Sequence, residues 1–354
     1  MAFRAARTLG VLLLSASLTF ILGQQLSALR RDELLQRLDV QAGLRQALLQ
    51  ESVDQLHRHV QFLARVPPIQ GIAAAQNIDS SAAKRSISQQ QWKRQLESIF
   101  ASYMAVHPDI IQLRYIGMKD GGKEVVRVDR VDDIVVALAP HLLQSKAARD
   151  YFKATARLGP GQIYTSDLNL NREFGKIEVP HIATLRASTP VFGPSDARDG
   201  MLVVNINAGN MLAQLNKNVP AGLRLYLCNE RGDFLLHPES GKSFGFDLGE
   251  RHLWTEEFTA APGPGPFAEG QGAVDSPSGR VYVVTRQVQL DNKDGRILIL
   301  RITAPFELAA LPLESLVLLI LLGGALATAL LLLVGRSPKA SARVDPSHGD
   351  TGTA

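Results

Sequence analysis

Ile111-Gln112-Leu113-Arg114-Tyr115, then Lys119-Asp120-Gly121-Gly122, then Glu124-Val125-Val126-Arg127-Val128-Asp129-Arg130: over these residues the apolar period of the chain drops to two. Ile111, Leu113 and Tyr115 alternate with Gln112 and Arg114, as in a strand that buries one face. Lys119 to Gly122 supply a turn, and the return strand follows it. Immediately upstream the period is helical. Ser88-Gln89-Gln90-Gln91 fits a capping box, and Trp92, Leu96, Ile99, Phe100 and Tyr103 carry a helix up to Pro108. A helix delivering into an antiparallel hairpin indicates the α+β class.

Downstream the pattern continues. A short helix is expected over 144–158, closed by Gly159-Pro160, followed by strands at 162–166, 184–191 and 201–206 and a small helix at 208–215. A second unit opens near Gly222, with strands at 223–228, 234–237, 280–288 and 296–302. Turns at 229–233 and 291–295 link neighbouring strands, and Pro262-Gly263-Pro264-Gly265-Pro266 reads as a surface excursion. Upstream, residues 27–66 have helical composition until Pro67-Pro68 stops them. Leu49, Val53, Leu56, Val60 and Leu63 form an a/d-like stripe, extended upstream by Leu35, Leu38 and Ala42 and interrupted by Arg45. Such a stripe packs on its own domain or on a second subunit.

The ends of the chain are different in kind. Residues 8–29 carry no ionisable side chain, and residues 315–335 read Leu316-Val317-Leu318-Leu319-Ile320-Leu321-Leu322, Gly323-Gly324 and a further leucine run. A helix apolar on every face for that length belongs in lipid. The first segment is read as an uncleaved anchor rather than a signal peptide, because helical composition runs on past it. Arg4 and Arg7 precede the first span, and Arg336, Lys339 and Arg343 follow the second, so both ends are expected in the cytoplasm. Residues 30–307 then form one translocated loop. The tail, 337–354, is too short and polar to fold alone, so an output domain is not expected on this chain.

The chain has 354 residues, 45% of them hydrophobic, and a net charge of +4 scattered without basic runs. That distribution gives no nucleic-acid footprint. Cys228 is the only cysteine, so no internal disulfide forms; within an apolar strand it is expected buried and inert. His57 and His59 lie about 200° apart on a helix, the wrong geometry for one metal. No Gly-x-Ser-x-Gly, Walker-type or His-Glu-x-x-His motif occurs. No catalytic residue, metal site or cofactor is assigned, and the chain is read as a non-enzyme.

Two spans, a long stalk helix and two consecutive α/β sheet units resemble the double Cache sensor, the PAS-like extracytoplasmic domain of bacterial chemoreceptors, histidine kinases and cyclic-di-GMP enzymes. The resemblance covers roughly residues 27–310. It is carried by Gln112-Leu113-Arg114-Tyr115-Ile116-Gly117, the run from Glu124 to Arg130, Leu143-Gln144-Ser145-Lys146, Arg149-Asp150-Tyr151-Phe152, Tyr164-Thr165-Ser166 and Leu170-Asn171-Arg172-Glu173. It implies two tandem PAS-like antiparallel modules. The expected boundaries are 1–29 for the first span, 30–66 for the stalk, 67–218 for a membrane-distal module and 219–307 for a membrane-proximal one. Residues 308–335 are the second span, and 336–354 a disordered cytoplasmic tail.

Amino-acid sensors of this class grip their ligand with an Arg-x-Trp-Tyr motif, a later Tyr and an Asp. Here the resemblance puts Arg149, Tyr151 and Phe152 on the motif, Tyr164 on the later Tyr, and Asn205 on the Asp. Arginine still holds a carboxylate, whereas asparagine gives no charge to an ammonium, so a small carboxylate is the expected ligand. Arg127 and Arg186, on alternating strands, are further candidates facing either the pocket or solvent. Arg149 has Asp150 or Glu173 as ordinary surface partners, Tyr151 and Phe152 have ordinary roles as core aromatics, and Lys146 is expected solvated on the short helix. The reading is a homodimeric inner-membrane receptor subunit, its main domain periplasmic, that binds a small ligand and signals through a membrane-bound kinase or cyclase. The alternatives are a scaffold whose sheets bind another protein, and the sensor half of a split receptor.

Overall fold

The computed structural model describes residues 2–75, 82–119, 121–173, 175–193, 196–260, 268–291 and 295–335. Expectations for the Pro262–Pro266 run, the tip of the 291–295 turn, Asp120, the Ser88 cap side chain, the flanking basic residues Arg4, Arg336, Lys339 and Arg343, and the tail fall outside these residues.

Helix α1 (Ala2–Leu63) joins the first apolar segment and the stalk without a break. The stalk helix ends at Leu63, just short of Pro67-Pro68 as expected, but Pro67 then opens a further helix, α2 (Pro67–Ala75), where its missing N–H would be unbonded anyway. Next come α3 (Ala82–Val106) and a hairpin, β1 (Ile110–Gly117) and β2 (Glu124–Val131), then β3 (Ile134–Ala137). The β2–β3 turn is two residues, Asp132 and Asp133, both at positive φ (48° and 64°). That geometry matches the strand twist but lacks the usual Asn-Gly signal, which is why β3 was not expected.

The expected 144–158 helix is reduced to α4 (Asp150–Thr155). Residues 144–146 are instead drawn into backbone bonding, with Glu124 N–H donating to Gln144 O at 2.9 Å and Lys146 N–H to Gly122 O at 2.8 Å. Then follow β4 (Tyr164–Thr165), β5 (Asn169–Leu170), the ribbon β6 (Arg172–Glu173) and β7 (Lys176–Ile177), β8 (Ala183–Phe192), β9 (Arg198–Asn207) and α5 (Gly209–Asn216). The first sheet runs β3-β2-β1-β9-β8-β4, with β5 also on β8.

The second sheet, β11-β10-β15-β14-β13-β12, is built from β10 (Arg224–Asn229), β11 (Phe234–Leu236), β12 (Thr259–Ala260), β13 (Gly270–Ser276), β14 (Gly279–Gln289) and β15 (Ile297–Pro305). Short helices α6 (Gly245–Leu248) and α7 (Trp254–Glu257) lie between β11 and β12. A 3-10 turn, Phe306–Ala309, connects β15 along the chain to α8 (Leu313–Gly335).

By contacts the chain forms two units: one is residues up to Leu34 together with those from Ala309, the other Leu35–Leu308. In the first unit Ser15 Oγ donates to Gly323 O at 2.7 Å, and a Cβ on Gly323 would run into Thr19. Two helical stretches, Ala6–Leu63 and Phe306–Leu333, are long and apolar enough to cross a membrane. Leu318, Ile320 and Leu321 are all well exposed, whereas a soluble core helix would bury at least one face.

In the second unit Leu49, Val53, Leu56, Val60 and Leu63 are all fully buried. The stalk stripe therefore packs within this chain, and the homodimer loses that stripe as its basis. Arg45 interrupts it for a reason: its guanidinium donates to Leu215 O at 2.9 Å and approaches Lys217 O at 3.4 Å, satisfying carbonyls at the end of α5. Helices α2 and α3 pack on the first sheet, and Arg130 caps the end of α3 through the carbonyls of Met104 and His107.

Candidate ligand-binding site

Register decides which side chains share the inner face of the first sheet. Across β1–β2, Gln112 faces Asp129 and Arg114 faces Arg127; an irregularity after Tyr115 then sets Ile116 against Glu124. Across β1–β9, Gln112 faces Asn205, which faces Arg186 on β8. One row thus reads Asp129, Gln112, Asn205, Arg186, and the next Arg127, Arg114, Val203, Ser188, Tyr164. Helix α4 lies over this face, with Thr155 Oγ1 2.5 Å from Ser188 Oγ.

Two arginines directly opposite on one buried face repel unless anions intervene. Arg127 binds Asp129 at 2.7 Å and Glu173 at 3.1 Å. Arg114 donates to the Tyr151 hydroxyl at 2.9 Å. Arg186 donates to Asn169 at 2.8 Å and Asn171 at 3.0 Å. Asn205 donates to Gln112 at 3.0 Å, and Gln112 to Asp129 at 2.9 Å.

Glu124, wholly buried, accepts the Gln144 N–H on one oxygen at 2.9 Å. Its other oxygen has Arg114, Lys146 and Arg127 at 3.6, 3.7 and 3.8 Å, beyond hydrogen-bond range. Among the described residues Arg114 Nε, Arg127 Nη1, Glu124 Oε1, Glu173 Oε2 and Asn205 Oδ1 are buried with no hydrogen-bond partner. Buried polar atoms in folded proteins ordinarily have a partner, whether protein, water or ligand.

Electrostatics follow the packing. Burial lowers the Lys146 pKa to about 8, aided by Arg114 and opposed by Glu124 and Glu173. Burial, with Arg114, lowers Arg186 to about 10. Burial alone would lower Arg127, but hydrogen bonding and charge from Asp129, then Glu173 and Glu124, raise it overall. Burial alone would raise Glu173, yet Arg127, Arg114 and Lys146 draw it below its ordinary value. Arg114, Arg127, Arg186 and Lys146 outnumber Glu124, Asp129 and Glu173, so the face is net positive.

Of the residues expected at the site, Arg127, Arg186, Asn205 and Tyr151 come together on this face. Tyr164 lies further along it, packed with Tyr151, Ile116, Met201 and Val203, and Phe152 borders that group. Arg149 is half-buried just before α4, has no side-chain hydrogen bond or ion pair among the described residues, and forms neither expected pair. Its charge still reaches Arg186. Lys146 is neither helical nor solvated, being only 8% exposed. Sequence reasoning missed Arg114 and Glu124, although alternation from Gln112 gave a signal for Arg114. Glu173 arrives from a two-stranded ribbon and left none.

The matching face of the second sheet is filled. Tyr226, Cys228, Val281, Val283 and Ile299 pack with Phe234, Trp254 and Phe258, the last two stacked at 3.9 Å. The Arg301 guanidinium lies 4.3 Å over Trp254, and burial pushes the Cys228 thiol up to about 12, an inert group as expected. His57 and His59 also have separate partners, Thr165 at 2.7 Å and Tyr103 at 2.8 Å.

The family model described as the bacterial histidine kinase sensor domain matches residues 82–260. Among solved structures, the chain is similar to an extracellular domain assigned to a histidine kinase, at 19% identity and TM-score 0.57, covering 81% of this chain and 95% of that one. It is similar to a domain assigned to a sensory box/GGDEF family protein of Vibrio parahaemolyticus, at 19% identity and TM-score 0.56, covering 81% and 100%. A third is the ligand-binding domain of the Campylobacter jejuni chemoreceptor Tlp3 in complex with L-valine, at 11% identity and TM-score 0.53, covering 80% and 97%. At these identities the likeness is one of fold. No curated protein sequence matches the chain.

Proposed function

The chain belongs to the bacterial histidine kinase sensor domain family, and on that premise we propose that it is a two-pass inner-membrane receptor subunit sensing a small carboxylate. The reading rests on one observation: Arg114 and Arg127 oppose each other on a buried, net-positive face, each with an N–H that no described residue accepts. A carboxylate bound there takes both donors and screens their repulsion. Arg149 and Lys146 supply further charge at the edge, and Asn205 offers a neutral acceptor. Residues 67–218 form the ligand-binding module and 219–307 the module leading to the second span, with 30–66 as the stalk between membrane and sensor. The output passes to a membrane-bound kinase or cyclase. A homodimer would use the exposed stalk residues Val40, Leu44 and Leu48.

The test is a thermal-shift and calorimetry series on the full chain in detergent against small mono- and dicarboxylates. At least one compound raises the melting temperature, and Arg149→Ala or Arg114→Gln abolishes the rise while the apo protein stays folded. A flat response across the series, or a rise unchanged in both variants, overturns the carboxylate reading.

A second reading has its own support. Val131, Ile134 and Val136 are exposed on and beside β3, an edge strand whose free side is open to pairing. Protein contact through that edge is the scaffold alternative. The buried polar atoms without hydrogen-bond partners favour sensing, because they are the costlier feature to maintain without a ligand.

A further inference from the structure

Two consecutive residues, Tyr164 and Thr165, touch three parts of the sensor at once. Tyr164 packs among Tyr151, Ile116, Met201 and Val203 on the polar face's apolar end. Its ring carries the Arg296 guanidinium at 4.4 Å. Thr165 O accepts from Arg296 at 2.7 Å, and Thr165 Oγ1 bonds His57 of α1 at 2.7 Å. Arg296 also binds Asp291 at 2.8 Å and Asp167 at 3.2 Å. It immediately precedes β15, the strand that leads along the chain to α8.

We propose that Arg296 is the coupling residue of this sensor, passing the state of the polar face through Tyr164-Thr165 to the second sheet, with His57 passing it to the stalk. The inference rests on the ligand-sensing reading above. The Arg114 side chain holds the Tyr151 hydroxyl, and Tyr151 belongs to the same apolar cluster as Tyr164. A change in Arg114's partners therefore reaches Tyr164 through this one cluster. Arg296 reads Tyr164 by stacking and Thr165 by hydrogen bonding, a combination that needs a planar guanidinium.

Movement also needs room, since close-packed interiors do not deform continuously. A cleft of about 640 Å³ adjoins the joint, lined by Gln50, Asp54 and His57 of α1, by Gln162 and Tyr164, and by Asp291. The stalk is tied to β14 elsewhere, through Gln46 to Gln287 O at 2.8 Å and through the Asp39–Arg286 ion pair. The Thr165 joint thus acts against a fixed second anchor on the same helix.

Hydrogen–deuterium exchange on the full chain in nanodiscs tests this without a ligand. Arg114→Gln disturbs the polar face, and its effect is read at β1–β2 and at β15, in the native background and with Arg296→Lys. The expected result is a change of about threefold or more in β15 exchange in the native background, abolished by Arg296→Lys, while the β1–β2 change persists. Tyr164→Leu, which keeps an apolar side chain but removes the ring, gives the same abolition. The proposal is overturned if β15 responds equally with and without Arg296, or if β15 is silent while β1–β2 responds. Failure of the ligand reading shows separately, as a flat binding series with the β15 response intact.

Discussion

Glu173 shows how the polar face was assembled from parts the sequence kept apart. Its carboxylate meets Arg127 at 3.1 Å and accepts from Gln112 at 3.4 Å, yet it sits in a ribbon some distance away along the chain. Its folded pKa lies below the ordinary 4.5, so its contribution to stability is full above that value and is lost as the pH falls through the lower folded one. The melting temperature should therefore drop as the pH is taken from about 5 towards 3, and Glu173→Gln should flatten that limb. An unchanged acid limb in the variant means the pairing contributes nothing. Alternation along β1 and β2 sorted residues between two faces, but the expectation that only one is buried fails, since Gln112 and Arg114 are as buried as Leu113 and Tyr115, and alternation left register open. That Arg114 opposes Arg127 depends on the hairpin turn and on the irregularity after Tyr115. Lys146 was misread because helical composition was outcompeted by backbone bonds to Gly122 and Glu124, a tertiary choice invisible locally.

Elements with strong periodicity were legible, namely the stalk, α3, β1, β2, β8, β9 and most strands of the second sheet. The missed ones had weak local signals. Strand β13, Gly270–Ser276, contains two glycines and is a strand because β14 pairs with it along its whole length. Helix α2 was hidden behind its own opening prolines. That helix holds a tight contact: a Cβ on Gly71 would run into the Trp92 ring on α3. In an isolated helix Gly→Ala would stabilise by about 1 kcal/mol, but overpacking costs roughly 1–3 kcal/mol. Gly71→Ala should thus lower the melting temperature and shift Trp92 fluorescence. A higher melting temperature with an unaltered spectrum would contradict the packing of α2 on α3.

For the whole molecule, the two apolar helices were readable from hydropathy alone, since lipid demands a signal that is long and uniform, whereas the sensor reading came from the family resemblance. The expected orientation can be read with a single thiol. Cys228 is wholly buried and is the chain's only cysteine, so it contributes no background to labelling. Ser278, exposed between β13 and β14, is a suitable reporter position. Ser278→Cys should react with a membrane-impermeant maleimide in cells whose outer membrane alone has been opened. Labelling only after lysis of the inner membrane would reverse the topology. The second sheet carries a separate implication. Its inner face is filled by stacked Trp254 and Phe258, with Arg301 over Trp254, unlike the polar face of the first sheet. On the proposed reading, recognition can drift, or be redesigned, among the polar side chains of the first sheet while the second sheet stays untouched, which would make this architecture a natural chassis for biosensors of altered taste.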